Sequence, residues 1–92
     1  MDRTKAYPMV VQILEKYRRL EFTDLVSMIG KTHSEEMFDS AGVRYVADIT
    51  IFWSDSSHRD LVIHGRIDDH NTFRFSPLEE KVVVRNPDCT SR

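Results

Sequence analysis

In the stretch VRYVADITIFW, residues 43–53, every second position is apolar: Val43, Tyr45, Ala47, Ile49, Ile51 and Trp53 alternate with Arg44, Val46, Asp48, Thr50 and Phe52. A helix, with its repeat of 3.6, would spread those six side chains around its circumference, whereas a strand sets them all on one face. The segment is therefore a long strand with one buried face. A lone strand of this kind is not stable, so the rest of the chain must supply both pairing partners and a cover for the apolar face.

The partners lie downstream. DLVIHGRI, residues 60–67, places Leu61, Ile63 and Ile67 on one parity, a further strand begins at Phe73 and Phe75, and Lys81 to Arg85, with Val82, Val83 and Val84, reads as the last strand. Ser76, Pro77 and Leu78 read as a turn or bulge between them. Short polar connections make successive strands antiparallel neighbours, which is a meander.

The cover lies upstream. Val10, Ile13, Leu14, Tyr17 and Leu20 recur at three- and four-residue spacing behind Pro8, which suits the first turn of a helix. The opposite face, with Gln12, Glu15, Lys16 and Arg19, reads as solvated. A second, shorter helix follows in FTDLVSMIG, with Thr23 or Asp24 as cap, Leu25, Val26 and Ile29 facing inward, and Gly30 as the stop. KTHSEEMFDSAG, residues 31–42, reads as irregular or as a short helix. The predicted fold is α+β: an N-terminal helical hairpin packed on one face of a three- to four-stranded antiparallel β-meander, with residues 1–85 as one domain and 86–92 as a polar tail.

Directly opposed residues of an antiparallel pair share a face, so the two apolar parities must meet, and this constrains the first hairpin's register. Pairing Trp53 with Leu61 sets Ile51 against Ile63 and Ala47 against Ile67 inside. Outside it sets Phe52 against Val62, Thr50 against His64 and Asp48 against Arg66. Sliding by two residues would oppose Asp48 to Asp68 in one direction and Arg59 to Trp53 in the other. The favoured register places Phe52 and Val62 side by side on the face away from the helices, with Val46 further along, a small apolar patch surrounded by polar groups; Val46, Phe52, Val62 and His64 are the candidate interaction residues.

The stretch with the most chemical character is HGRIDDHN, residues 64–71. A strand over about residues 60–67 separates the loops at its two ends by roughly 23 Å, so Asp55 and His58 cannot share a coordination shell with Asp68, Asp69 and His70. The Asp68–Asp69–His70 trio by itself matches neither H-E-x-x-H nor EF-hand spacing, and Asp and Asn are favoured turn residues. The trio is read as a turn and His64 as a half-exposed sheet residue, with no metal and no cofactor expected. No Gly-rich phosphate loop, G-x-S-x-G elbow or cysteine nucleophile is present. Glu35, Glu36, Asp39, Asp68 and Asp69 are the carboxylates that the topology could gather at one end of the sheet for acid–base work. Trp53, on the core parity, is read as packing.

Composition narrows the remaining classes. Ninety-two residues, 40% of them hydrophobic, suit one small domain. A formal charge of −2 gives no electrostatic reason to expect nucleic acid or an anionic membrane as partner. Helix, helix and hairpin in that order superficially suggest a winged helix, but the only segment available as recognition helix, HSEEMFDSAG, is acidic and lacks donors for phosphates and base edges. The single cysteine, Cys89, allows no intramolecular disulfide and fits a reducing compartment. The N-terminus shows neither a signal-peptide pattern nor a membrane span. A cytoplasmic protein is expected.

The layout of Tyr45 to Trp53, Leu61 to Asp69 and Pro77 to Val84 resembles small bacterial proteins of helix-plus-curved-sheet build, similar in outline to cystatin-like or NTF2-like domains and to some toxin-immunity proteins. The likeness covers the last half of the chain and brings no specific motif. The NTF2-like outline implies a pocket between sheet and helices. The immunity outline implies stoichiometric binding of a partner enzyme without catalysis. A non-enzymatic protein-interaction domain, binding another protein or itself, is the expectation. The alternative is a small-ligand-binding or enzymatic domain with a pocket lined by Tyr17, Tyr45 and Trp53.

Overall fold

The computed structural model describes residues 3–68 and 78–87. In chain order the elements are α1 (Arg3–Arg18), α2 (Phe22–Ser27), β1 (Thr32–Phe38), β2 (Arg44–Trp53), β3 (Asp60–Asp68) and β4 (Leu78–Arg85). The strands form one antiparallel sheet in the order β1-β2-β3-β4. On one face of it α1 lies against β3 and β4, and α2 against β2. This is the α+β arrangement that the switch from helical to alternating periodicity predicts.

The core forms where the two periodicities meet. From α1 come Ala6, Val10, Ile13, Leu14 and Tyr17; from the sheet come Tyr45, Ala47, Ile49, Ile51, Leu61, Ile63 and Ile67; α2 adds Leu25. The β2–β3 register is the one the parity argument selects, with Trp53 opposite Leu61, Ile51 opposite Ile63 and Ala47 opposite Ile67. On the same inner face Gly65 sits directly under α1. A Cβ there would lie 3.0 Å from the Val10 side chain and 3.2 Å from Leu14, so the missing side chain is what lets the helix settle onto β3.

Several local expectations are corrected. Residues 32–38, expected to be irregular or helical, form β1, which pairs along its whole length with β2 from Thr32↔Thr50 to Phe38↔Arg44. Helix α1 begins at Arg3, which puts Pro8 inside the helix instead of in its first turn. It ends at Arg18, where the chain tightens through a Leu20 N–H bond to the Tyr17 carbonyl, and Leu20 is left 38% exposed instead of joining the core. Helix α2 is entered from Glu21, whose extended backbone makes it the N-cap without a side-chain bond, so Thr23 and Asp24 lie within the first turn. Gly30, with φ of 84°, supplies the left-handed residue that turns the chain away after α2. Leu78 belongs to β4 and pairs with Ile67. The strand start expected at Phe73 and Phe75 and the turn residues Ser76 and Pro77 lie outside the described residues. Asn86 donates its backbone N–H to the Arg59 carbonyl at 2.8 Å, which pins the end of β4 to the β2–β3 loop; the rest of the expected tail, 88–92, lies outside the described residues.

Candidate interaction surface

The face of the sheet away from the helices is laid out in cross-strand rows fixed by the register. Nearest the β2–β3 loop, Phe52, Val62 and Val83 stand side by side across three strands. Phe52 is 44% exposed and Val83 53%, while Val62 between them is buried at 7%. The next row is polar, Thr32, Thr50, His64 and Lys81, and the one beyond it is charged, Ser34, Asp48, Arg66 and Glu79. These rows are cross-linked: Ser34 Oγ donates to Asp48 Oδ1 at 2.6 Å, and His64 Nε2 lies 2.8 Å from Glu79 Oε1. Among the described residues, no helix covers this face.

Of the four candidate residues, the fold brings Phe52 and Val62 together and sets His64 beside them in the polar row. Val46 stands apart, between Glu36 and Asp68. Six residues along β2 from Phe52, it lies roughly 20 Å away. In its place the row contains Val83, which the sequence reading missed. Extending the parity rule to the last hairpin would have found it, since Val82 and Val84 facing inward force Val83 outward, opposite Val62.

The loop flanking the apolar row is held firmly. Asp55 accepts from the backbone N–H of Ser57 at 2.9 Å and from its hydroxyl. The hydroxyl bond first, then the backbone bond, keeps its carboxyl below the usual range. The His58 ring stacks on Trp53 with centroids 4.6 Å apart and planes 11° from parallel, and the Phe22 ring lies tilted by 50° to the Trp53 ring with centroids 6.0 Å apart. His58 takes φ of 58°, a left-handed conformation unusual outside glycine. Trp53 thus acts as packing, as its parity predicts, but half-buried between α2 and the loop.

On the helix side, the two core tyrosines fill the interior and hand their hydroxyls to carboxylates. Tyr17 Oη donates to Glu35 Oε2 at 2.8 Å, and Lys16 Nζ lies 2.7 Å from the same oxygen. Burial, then the bond to Glu35 and its charge, pushes the Tyr17 phenol up to about 12. For Glu35, burial opposes ionisation, but the bonds from Lys16 and Tyr17 outweigh it and hold the carboxyl below its usual value. Tyr45 Oη reaches Asp39 Oδ2 at 3.4 Å. Asp39 closes the β1–β2 turn by accepting from the backbone N–H of Val43 at 2.9 Å and of Ala41 at 2.8 Å, and the Val43 bond foremost lowers its carboxyl.

The candidate carboxylates among the described residues therefore do not gather. Glu35 faces inward against α1, Glu36 and Asp68 face outward on either side of Val46, and Asp39 is used by its turn. A carboxylate held ionised beside a phenol held protonated leaves neither poised for proton transfer near neutral pH. Asp69 and His70 lie outside the described residues. Among the described residues, no three His, Cys, Asp or Glu side chains form a group able to hold a metal ion. An open groove of about 700 Å³ runs between α1 and the end of β1, lined by Lys5, Met9, Arg19, Phe38 and Asp39 among others. It contains neither Tyr17, Tyr45 nor Trp53, so it is not the pocket that the NTF2-like outline implies.

No family model, curated protein or solved structure matches the chain. No helix among the described residues is long and apolar enough to cross a membrane.

Proposed function

We propose that the chain is a non-enzymatic protein-interaction domain that works in the cytoplasm and binds its partner through the bare face of the sheet. The observation that carries the reading is the row Phe52, Val62, Val83: apolar, helix-free among the described residues, and bounded by a polar and then a charged row. Apolar centres with polar rims are how protein interfaces are built. With about 200 Å² for a phenylalanine side chain, the 44% exposure of Phe52 leaves roughly 90 Å² for a partner to cover, worth about 2 kcal/mol. The filled interior supports the same reading, because Tyr17 and Tyr45 occupy the space where a ligand would have to sit. Stoichiometric capture without catalysis, of the kind immunity proteins perform, is the mode this surface suits.

The test is quantitative capture from the native cytoplasm with the wild-type chain, Phe52→Ser and Val83→Ser as baits. A partner held in constant ratio by wild type and lost from both variants is the expected result. Equal recovery on all three baits would move the interface off this face. A second reading, small-ligand binding, is favoured only by the groove beside α1, which Lys5, Arg19, Glu15 and Asp39 help to line and where Lys5 Nζ lies 3.9 Å from Asp39 Oδ2. Its signature would be a metabolite whose binding is lost with Arg19→Ser and kept with Phe52→Ser.

A further inference from the structure

Strand β4 ends the sheet, so one of its edges pairs with β3 and, among the described residues, the other pairs with nothing. Natural edge strands are protected by shortness, proline, bulges or charge. β4 is eight residues long, has no proline and pairs with β3 without a bulge, so its protection is charge alone: Glu79, Glu80, Lys81 and Arg85 flank three consecutive valines, Val82 to Val84, and charges of both signs admit a strand that matches them. The helix beside this edge exposes apolar surface as well. Tyr7 is 49% exposed and Val11 36%, and they line a shallow groove with Leu14 and Val82, rimmed by the charged Glu15, Glu80 and Lys81. Val83 is exposed on the opposite side of the strand. The result is an open flank two layers deep, strand edge above and helix alongside.

We infer that a second copy of this chain occupies this flank, pairing β4 with β4 about a two-fold axis perpendicular to the sheet. It adjoins the bare face, sharing Val83, Lys81 and Glu79 with it, but does not rest on the reading above. Such an axis runs the strands antiparallel and keeps each residue opposite one of its own parity. Charge then selects the register. With Val82 opposite Val82 of the second copy, Glu79 meets Arg85 twice, Lys81 meets Val83 and Glu80 meets Val84. Sliding by two residues one way sets Lys81 against Arg85 twice; sliding the other way sets Lys81 against Lys81. Like charges directly opposed are unfavourable, so only the first register is self-complementary over the full strand. The same axis lays the two α1 helices side by side, each closing the Tyr7–Val11 surface of the other. An edge roughly 27 Å long and two layers, about 20 Å, deep gives about 540 Å² per copy, the size of weak, transient interfaces. Pairing would join the two sheets into one of eight strands and set both bare faces on the same side.

Sedimentation equilibrium of the full chain from about 1 to 200 μM tests this. A monomer–dimer equilibrium is expected, with Arg85→Glu weakening it about tenfold or more, and the exchange Glu79→Arg with Arg85→Glu restoring it to within about threefold. Tyr7→Ser with Val11→Ser should weaken it as well, while Phe52→Ser leaves it unchanged; melting curves confirm that each variant is folded. A chain that stays monomeric to about 200 μM, or a dimer indifferent to Arg85→Glu and to the Tyr7–Val11 pair, overturns the inference. A dimer dissolved by Phe52→Ser but not by Arg85→Glu overturns it too, and would leave the bare-face reading standing.

Discussion

Gly65→Ala adds a single methyl at the point where α1 rests on β3. Its Cβ would lie 3.0 Å from Val10 Cγ2 and 3.2 Å from Leu14 Cδ2, against an optimum of about 3.5–4.0 Å for carbon pairs. Val10 is fully buried and Leu14 nearly so, so neither has free space to retreat into. Val10, β-branched and in a helix, is also confined to essentially one rotamer, and relief must come from lifting α1. Overpacking of this kind costs about 1–3 kcal/mol, offset by about 0.4–1 kcal/mol from restricting the unfolded chain. The net is a loss of roughly 0.5–2 kcal/mol, or a fall in Tm of about 3–15 °C for a domain of this size. Urea titration followed by circular dichroism reads the change as a lower midpoint at constant slope. Val10→Ala removes the clashing methyl, so the two substitutions together should cost less than their sum by about 0.5 kcal/mol or more. A neutral or stabilising Gly65→Ala, with strict additivity to Val10→Ala, would mean that α1 is not seated on β3 as described.

The two faces of β2 should respond in opposite ways: Trp53→Ser loses about 3 kcal/mol as the packing of Phe22 and His58 around the indole collapses, while Phe52→Ser costs under about 1.5 kcal/mol. The reverse order of melting temperatures would invert the face assignment. Glu35 and Asp39 are both held below their ordinary values; a carboxylate depressed in the folded state contributes stability that is complete above its unfolded pKa, near 4, and is lost as pH falls through the folded value. Glu35→Gln should therefore flatten the acid limb of a Tm–pH profile, and superimposable acid limbs would remove the Glu35 network from the account. Tyr17 has the opposite sign: its phenol, raised to about 12, contributes stability that is complete below its unfolded pKa near 10 and is lost as pH rises from there through the folded value. Tyr17→Phe should abolish that alkaline loss, and an unchanged alkaline limb would contradict the assignment.

How much of this was legible in the sequence depended on which side chains carried the pattern. The β2–β3 hairpin was readable to the register because six alternating apolar positions leave only one alignment that keeps apolar on apolar and avoids opposing Asp48 to Asp68. β1 was not, because the residues it turns inward are His33, Glu35 and Met37, and a glutamate facing the core looks like surface until its partners are known. Here the partners are Lys16 and Tyr17, 19 and 18 positions away in the chain. Tyr17 held half a clue, since a buried phenol needs an acceptor, but nothing local said which one. Leu20 misled for a related reason: its spacing continues the helical stripe, yet the helix ends two residues earlier. The surface was half legible, with Phe52 and Val62 paired by register and Val46 further along β2, and with Val83 hidden in a valine run whose inward and outward members look alike.

The claim that the bare sheet face is the working surface is tested most directly by site-specific photo-crosslinking in cells that produce the chain natively. A photoreactive phenylalanine analogue would replace Phe52, at the centre of the apolar row, and in a second variant Ser40, which is exposed at the far end of β2 and borders the groove beside α1. A partner-binding face requires a discrete adduct of defined mass from position 52 and none from position 40. An adduct from position 40 with position 52 silent would place the working surface at the groove and contradict the interaction reading.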